Sequence, residues 1–241
     1  MKARTTPGAA IERTLKGYLM KIPAGDSSAY RFAQIDDYYG LPRRKFPHHG
    51  LTLSLRARTS SLSLPGTWGF GLWNDPFGMS LGFGANRFRL PTLPNAAWFF
   101  GASPENHLSF GDNPAQGVLA QTFRSPGFHP LLIPAGIVFP FSRKTTRNLL
   151  GKVISEDSSA LKVDVTQWHG YRLEWSPNRV VWYVDEVPVF KSLVSPNPPL
   201  GLVIWIDNQY AAFTPEGKIS FGVLEGNEEW LEIEDLAMNN E

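Results

Sequence analysis

The sequence contains no cysteine and comparatively few charged residues. With Cys 0, disulfides, thiolate metal sites and a cysteine nucleophile are all excluded. Charged residues make up 19% of the chain, below the typical share of about 25%. The 23 basic and 22 acidic residues leave a net charge of +1, so there is no general basic field to hold nucleic acid.

Long apolar runs and targeting signals are missing as well. No stretch approaches the length of about 18 apolar residues that a membrane-spanning helix needs. The amino-terminal residues include basic side chains but no apolar run of the kind found in a secretory leader. These absences predict a soluble cytoplasmic protein without a membrane partner. A secreted protein whose leader has been removed is the alternative.

Glycine, proline and aromatic residues are abundant instead. Gly 22 and Pro 20 together account for about one residue in six, and this density of helix breakers argues against a helical bundle. From residue 30 onward, short strand patterns recur between turn clusters, with one weak helical pattern at 145–150. Many short strands without intervening helices predict an all-β sandwich, a jelly roll or a barrel.

The domain organisation predicted from the sequence is simple. Residues 1–28 are predicted to be an N-terminal arm, and residues 29–241 a single domain. No repeat, low-complexity tract or shift in composition divides the second part. A single β-sandwich can reach roughly 200–250 residues, so the length agrees with one domain.

The central strand patterns place aromatic rings on both faces. In the segment 97–103, Trp98 and Phe100 alternate with Phe99, and in 201–207 Trp205 shares a face with Asp207. One face can fill a core between two sheets, whereas the other has to be covered or has to line a groove. Glycines between the bulky rings leave space for a ligand or a neighbouring backbone; they are Gly69, Gly71, Gly82, Gly84 and Gly101.

The most specific stretch is residues 163–190, VDVTQWHGYRLEWSPNRVVWYVDEVPVF. It resembles the hairpin of family 16 glycoside hydrolases and related concanavalin A-like jelly rolls, with Glu186 where glycine is usual. The segments 50–74 and 230–236 resemble further strands of that family, so the resemblance covers about two-thirds of the chain. The hairpin residues that match are Asp164, Trp168, His169, Tyr171, Glu174, Trp175, Pro177, Asn178, Trp182, Tyr183, Val184 and Asp185.

The resemblance implies a two-sheet antiparallel jelly-roll sandwich with a concave aromatic cleft that binds a glycan. Catalytic members carry Glu-x-Asp-x-x-Glu on one strand, and its outer acids form the carboxylate pair of a retaining mechanism. The corresponding strand is expected here at 97–103, which reads AWFFGAS and has no carboxylate. The resemblance therefore predicts a carbohydrate-active protein in which hydrolysis is doubtful.

Two aspartates are the catalytic candidates. Asp207 follows an apolar strand pattern on the face of Trp205, and Asp36 ends the strand pattern at 30–37. Either could instead cap a strand end or be solvated. The ligand-binding candidates are rings that can stack on a sugar or hold an apolar ligand, and amides beside them. They are Trp68, Trp73, Asn74, Trp98, Phe100, Trp205, Asn208 and Gln209, and about half of the rings are expected to be core instead.

A second class of function stays open at this point. A non-glycosidase enzyme, such as a cyclase or an isomerase, could use the same cleft for an apolar small molecule. It would rely on one aspartate as acid and base, with a pKa raised by burial among aromatic rings. No cofactor is predicted, because no metal-ligating spacing occurs, although loop oxygens could hold a structural calcium ion. The expected partner is a small molecule or an oligosaccharide.

Overall fold

The computed structural model describes residues 1–76, 92–127, 130–132 and 141–239. Antiparallel strands dominate these ranges, with a 3₁₀ helix at Arg43–Lys45 and helix α1 at Arg143–Gly151. The strands are β1 (Lys2–Thr5), β2 (Ala10–Arg13), β3 (Gly17–Ile22), β4 (Phe32–Asp36), β5 (Leu51–Thr59), β6 (Thr67–Trp73), β7 (Ala96–Ala102), β8 (Gly117–Arg124), β9 (Ser155–Ala160), β10 (His169–Ser176), β11 (Arg179–Val184), β12 (Val187–Ser192), β13 (Gly201–Asp207), β14 (Gln209–Phe213), β15 (Ile219–Val223) and β16 (Glu229–Asn239).

Two seven-stranded sheets pack face to face. Sheet A has the strand order β1-β4-β13-β6-β7-β8-β9, and sheet B has the order β12-β11-β10-β5-β16-β3-β2. The strands β14 and β15 form a separate hairpin. This arrangement is a two-sheet antiparallel jelly-roll sandwich, so the predicted fold class is confirmed.

Sheet B has one buried face and one face in water. Along β5 the burial alternates strictly, with residues such as Leu53 and Leu55 buried and the residues between them half-buried. On the wet face, Arg58 of β5 lies opposite Glu232 of β16 and donates to its carboxylate at 2.7 and 2.9 Å. Alternation of this kind is what a half-buried strand requires.

The central strands of sheet A are buried on both faces. Every residue of β7 and of β13 is buried, so these strands read as continuous apolar runs. On the inner face, the rings of Phe70 and Phe99 lie 5.1 and 5.0 Å from Tyr171 of sheet B. The outer face carries a second apolar cluster, which is separated from the first by the sheet itself.

Residues 1–28 differ from the predicted arm. They contain β1, which pairs with β4 at one edge of sheet A, and β2 and β3, which lie at one edge of sheet B. Met20 and Ile22 of β3 are buried in the core between the sheets. Edge strands of four to six residues carry too short an alternation to be recognised in the sequence.

Of two short sequence patterns between the long strands, the structure confirms one and overturns the other. The helical pattern at 145–150 is confirmed as α1, whose N-cap Ser142 accepts a hydrogen bond from Thr145 N. The sequence pattern at 108–110 predicts a short strand, but none forms there in the described chain. The carboxylate of Glu156 accepts from Phe110 N and Gly111 N and holds a turn instead. Among the helices of the described ranges, none is long and apolar enough to cross a membrane.

The turn between β11 and β12 offers a test of backbone strain. Asp185 and Glu186 form its two-residue loop, with φ of 49° and 62°, and such loops favour glycine because a Cβ atom is crowded there. We expect Glu186→Gly to be more stable to urea unfolding than Glu186→Ala by about 1 kcal/mol. Both variants lose the contact between Glu186 and Arg172, so equal stabilities would contradict the strain.

Candidate functional site

The outer face of sheet A collects most of the candidate residues. Because side chains alternate along a strand, one set from five neighbouring strands points away from sheet B. The pairing of β4, β13, β6, β7 and β8 in that order places this set on one surface. Its large or polar members are Phe32, Gln34, Asp36, Thr67, Trp73, Trp98, Phe100, Leu119, Gln121, Phe123, Trp205 and Asp207.

Trp98 lies at the centre of an aromatic cluster on this face. Its ring is 5.4 Å from Phe100, 5.6 Å from Trp205 and 6.1 Å from both Trp73 and Phe123. The rings of Trp73 and Trp205 are parallel to within 3° at 6.3 Å. The indole Nε1 of Trp98 donates to the side-chain oxygen of Gln121 at 3.0 Å.

The glycines between the rings leave space, as the sequence predicts. In this structure the space is filled by side chains and backbone of the protein itself. A Cβ atom at Gly69 would lie 2.7 Å from Trp205, and one at Gly71 would lie 2.6 Å from the Cβ of Trp98. At Gly101 it would lie 2.0 Å from Trp68 on the opposite face. Gly82 and Gly84 lie outside the described residues.

The centre of the aromatic cluster is closed to a ligand in this structure. Trp98 and Phe100 are 3% and 2% exposed, and Trp205 is 9% exposed. Leu108 from a loop and Leu150 from α1 pack on the same cluster and cover it. These rings therefore act as a second core.

Accessible side chains remain along the margin of the face. Four half-buried residues lie along it. They are Tyr30, which precedes β4, Phe32 and Gln34 of β4, and Trp73 at the end of β6. Tyr30 and Phe32 stack with ring centroids 5.2 Å apart and planes within 18°. We call these four residues the β4 margin. It carries three aromatic rings and one side-chain amide.

Asp207 is a buried carboxylic acid at one end of this margin. It is 8% exposed, and no cation pairs with it among the described residues. Its Oδ1 accepts from Thr67 Oγ1 at 2.8 Å and from the main-chain nitrogens of Thr67 and Gln209 at 3.2 Å. Burial raises the pKa of Asp207 to about 6, and these hydrogen bonds limit the rise. A group that titrates there can act as an acid or a base near neutral pH.

Asp36 has a different environment on the same face. It is fully buried, and its Oδ2 accepts from Arg4 Nε and Nη2 at 3.1 and 2.9 Å. In the register of β4 and β13, Asp36 lies opposite Val203 whereas Asp207 lies opposite Phe32. Four residues along a strand separate the two acids by roughly 13 Å, beyond the roughly 5–9.5 Å of glycosidase pairs.

Strand β7 contributes no acid to the outer face. The residues that point outward from it are Ala96, Trp98, Phe100 and Ala102. The absence of a carboxylate at 97–103 in the sequence therefore corresponds to an apolar stripe beneath the cover. No pair of acids with glycosidase spacing arises from β7 and the two candidate aspartates.

The remaining candidates lie outside the aromatic cluster, and two of them form hydrogen bonds with main-chain groups. Trp68 points to the inner face and packs in the core between the sheets, because it alternates with Gly69. Asn74 Nδ2 donates to Leu93 O at 2.9 Å and fixes the chain that returns to β7. Asn208 is fully buried and satisfied by main-chain groups. Gln209 lies next to Asp207 with a buried amide nitrogen.

Sequence reasoning missed two residues that contact Asp207. Thr67 begins β6 and accepts from Trp205 Nε1 at 2.9 Å while it donates to Asp207. Tyr30 lies just before β4, and its hydroxyl donates to Asp207 Oδ2 at 3.2 Å. Alternation places Tyr30 on the face of Phe32, but only the register of β4 against β13 brings it to Asp207.

A metal site is not formed by the described part of the chain. No group of three or more His, Asp or Glu side chains there is close enough to hold a metal ion. The prediction that no cofactor is needed, and the open question of a structural calcium ion, both stay predictions.

The comparison with protein families identifies the hairpin region. Residues 144–198 match glycosyl hydrolases family 16. The match includes α1 and β9 to β12, and it contains the stretch 163–190 that carries the resemblance. The resemblance to family 16 is thereby confirmed for less than a quarter of the chain. No curated protein matches the sequence.

Solved structures with similar folds have low sequence identity. An endo-β-1,4-glucuronan lyase from the fungus Trichoderma reesei has a TM-score of 0.49 at 9% identity, covering 100% of this chain and 88% of its own. A Bacillus licheniformis β-glucanase has a TM-score of 0.48 at 10% identity, covering 99% and 92%. A Crh5 transglycosylase in complex with NAG has a TM-score of 0.49 at 12% identity, covering 99% and 78%.

The raised pKa of Asp207 predicts how stability depends on pH. The folded pKa of about 6 exceeds the ordinary 3.8, so the folded state holds the proton more tightly than the unfolded state. The stability that the proton on Asp207 adds to the folded state is fully present below about pH 4 and is lost as the pH rises through 6. Wild type should therefore lose roughly 2 kcal/mol more than Asp207→Asn between pH 4 and 7 in urea unfolding. Asp112→Asn, at an exposed carboxylate, should keep the wild-type profile, and a wild-type profile in Asp207→Asn would contradict the assignment.

The close packing at Gly69 predicts a second stability effect. A methyl group there would lie 2.4 Å from Phe99 O and 2.7 Å from the Trp205 ring. We expect Gly69→Ala to lower the free energy of unfolding by roughly 1–3 kcal/mol, because neither the backbone nor the packed indole can move away freely. Gly127→Ala is the matched control, since nothing lies within 4 Å of a Cβ atom there. Equal stabilities of the two variants would contradict the packing.

Proposed function

We propose that this protein is a carbohydrate-active protein of the family 16 type that binds an oligosaccharide along the β4 margin. The observation that carries the proposal is the row of half-buried rings and an amide on that margin, ending at Asp207. The family match at 144–198 supports the choice of a glycan as ligand. Tyr30, Phe32 and Trp73 would supply ring faces for stacking.

Polar groups beside the rings suit sugar hydroxyls. Gln34 Nε2 donates to Asp36 at 3.0 Å and to the Tyr38 hydroxyl at 3.1 Å, and Arg4 is held by the same carboxylate. The amide oxygen of Gln34 and the edge of the Arg4 guanidinium are then available in a fixed orientation. A small number of fixed polar groups among rings is typical of ligand sites.

Hydrolysis through a carboxylate pair is not part of the proposal. Asp36 is bound to Arg4, and the register places it roughly 13 Å along the strand from Asp207. The outward side chains of β7 are apolar or aromatic. We therefore propose glycan binding without cleavage by the usual double-displacement chemistry.

A second candidate function is that of a cyclase or isomerase that acts on an apolar small molecule. The observation that favours it is a single acid, Asp207, with a raised pKa beside an aromatic cluster. An apolar substrate would use Asp207 as its acid and base. No match to a known protein supports this alternative, so glycan binding is preferred.

The proposal predicts measurable binding of β-linked glucose hexasaccharides. We expect calorimetric titration at pH 5 to detect binding, and Trp73→Ala to weaken it about tenfold because a stacking ring is lost. Trp168→Ala is the matched control, since Trp168 is half-buried on the wet face of sheet B over Arg56 and Arg58. Its affinity should equal that of wild type.

Two outcomes would contradict the proposal. If neutral and acidic β-linked hexasaccharides all fail to bind folded wild type, glycan binding is wrong and the apolar-ligand alternative is left. If wild type releases reducing ends from a bound hexasaccharide and Asp207→Asn does not, the exclusion of hydrolysis is wrong.

A further inference from the structure

We infer that the oligosaccharide bound along the β4 margin is acidic, and that Lys2 and Arg4, held over the ring of Tyr39, bind a carboxylate of one of its sugars. This inference deepens the proposed function and rests on it for the glycan. It adds a charged subsite at the end of the margin that lies away from Asp207.

The register of β1 against β4 builds this subsite. Lys2 lies opposite Asp36, and Arg4 lies opposite Gln34. Residues that oppose each other in an antiparallel pair share a face, with Cβ atoms about 4.5–5.5 Å apart. Because Gln34 and Asp36 belong to the outer face of sheet A, Lys2 and Arg4 belong to it as well. Strand β1 therefore extends the β4 margin with two cations.

Arg4 is fixed in orientation and keeps one edge open. Its Nε and Nη2 donate to Asp36 Oδ2 at 3.1 and 2.9 Å. Its Nη1 makes no hydrogen bond within the described ranges, and the side chain is 23% exposed. A guanidinium presents its donors in a rigid planar fork that suits carboxylates. Nη1 can therefore donate to a ligand carboxylate while the ion pair with Asp36 stays intact.

Tyr39 brings the two cations together. Its ring is 44% exposed, and its centroid lies 4.9 Å from Cζ of Arg4 and 5.2 Å from Nζ of Lys2. An aromatic face attracts cations at this distance and restricts their motion. Lys2 pairs with no carboxylate in the described part of the chain. Its charge is thus held beside Arg4 and is not neutralised by the protein.

The carboxylate of Asp36 does not block an acidic ligand. Asp36 is 0% exposed, so a ligand cannot touch it. Its Oδ2 accepts from Arg4 and from Gln34 Nε2, and its Oδ1 accepts from Tyr39 N at 2.8 Å. These four hydrogen bonds hold the carboxylate beneath the cations. Asp36 therefore positions Arg4 and Tyr39 for the ligand.

Further cations lie at the same end of the margin. The 3₁₀ helix Arg43–Lys45 is followed by Phe46, whose ring lies 4.7 Å from Tyr38, and Tyr38 lies 6.2 Å from Trp73. Basic residues consequently outnumber acids among the described residues around this end. The basic residues are Lys2, Arg4, Arg43, Arg44 and Lys45, and the acids are Asp36, Asp37 and Asp75.

The two ends of the margin differ in charge. Asp207, at the other end, has no cation paired with it in the described ranges, so it repels an anion once it is ionised. A sugar carboxylate would gain charge-assisted hydrogen bonds at the Lys2 end, whereas a neutral sugar would gain only ordinary ones there. This asymmetry selects an acidic sugar and places it next to Gln34.

Two matched hexasaccharides test the inference. One is the β-1,4-linked glucose hexamer, and the other is the same hexamer with each C6 oxidised to a carboxylate. In calorimetric titration at neutral pH and about 20 mM sodium chloride, we expect the acidic hexamer to bind about fivefold more tightly. The preference should shrink at about 500 mM sodium chloride, because salt screens exposed charges. Equal affinities at low salt would overturn the inference.

Charge reversal at Lys2 identifies the subsite. Lys2→Glu should abolish the preference for the acidic hexamer, because a carboxylate replaces an exposed ammonium group there. Lys191→Glu is the matched control, since Lys191 is exposed on β12 of sheet B and the substitution changes the net charge equally. It should keep the wild-type preference. An unchanged preference in folded Lys2→Glu would overturn the assignment.

A measurement on wild type covers the case in which Lys2→Glu does not fold. The ring-carbon resonances of Tyr39, assigned with Tyr39→Phe, should shift more with the acidic hexamer than with the neutral one. Tyr39 resonances that respond to neither hexamer, while the acidic one binds, would overturn the subsite.

The outcomes separate this inference from the proposed function. If the neutral hexamer binds and the acidic one binds no more tightly, the inference fails and glycan binding stands. If neither hexamer binds, both fail. A hexaglutamate peptide, which carries carboxylates without sugar rings, should not displace the acidic hexamer. Equal displacement by this peptide would overturn the inference in favour of an acidic peptide as the ligand.

Discussion

The burial of both faces at the centre of sheet A is the constraint on which the candidate site depends. Trp98 and Phe100 on one face and Phe99 on the other leave no side of β7 that tolerates water. The outer face therefore needs a cover. Arg147 of α1 donates to Ser109 O at 2.9 Å and to Phe213 O at 3.0 Å, and so ties a loop and a strand of that cover together.

The same burial decides the chemistry of the two aspartates. Both lie on the outer face and lose their hydration, which costs several kcal/mol for an unpaired charge. Asp36 is compensated by the guanidinium of Arg4. Asp207 is compensated by hydrogen bonds alone, so its pKa rises to about 6. The paired strands β4 and β13 thus carry a structural ion pair and a titratable acid on the same face of sheet A.

The match to the family 16 model is confined to the hairpin region and does not include the site. Residues 144–198 match that family, whereas Asp207, Tyr30 and the margin along β4 lie outside the match. A shared hairpin supports the architecture, because its turns and alternation fix two strands of sheet B. The arrangement of acids on sheet A has to be assessed from its own contacts, since function resides in sites placed on folds.

The sequence by itself determined most of the long strands, the all-β class and the lack of a carboxylate on β7, because alternation and turn chemistry act over a few residues. It also placed Trp205 and Asp207 on one face. Only the tertiary structure decided that Trp98 is covered, that Asp36 pairs with Arg4 and that Tyr30 reaches Asp207, 177 residues away in the chain. These contacts follow from the register between distant strands and from desolvation, which no local pattern encodes.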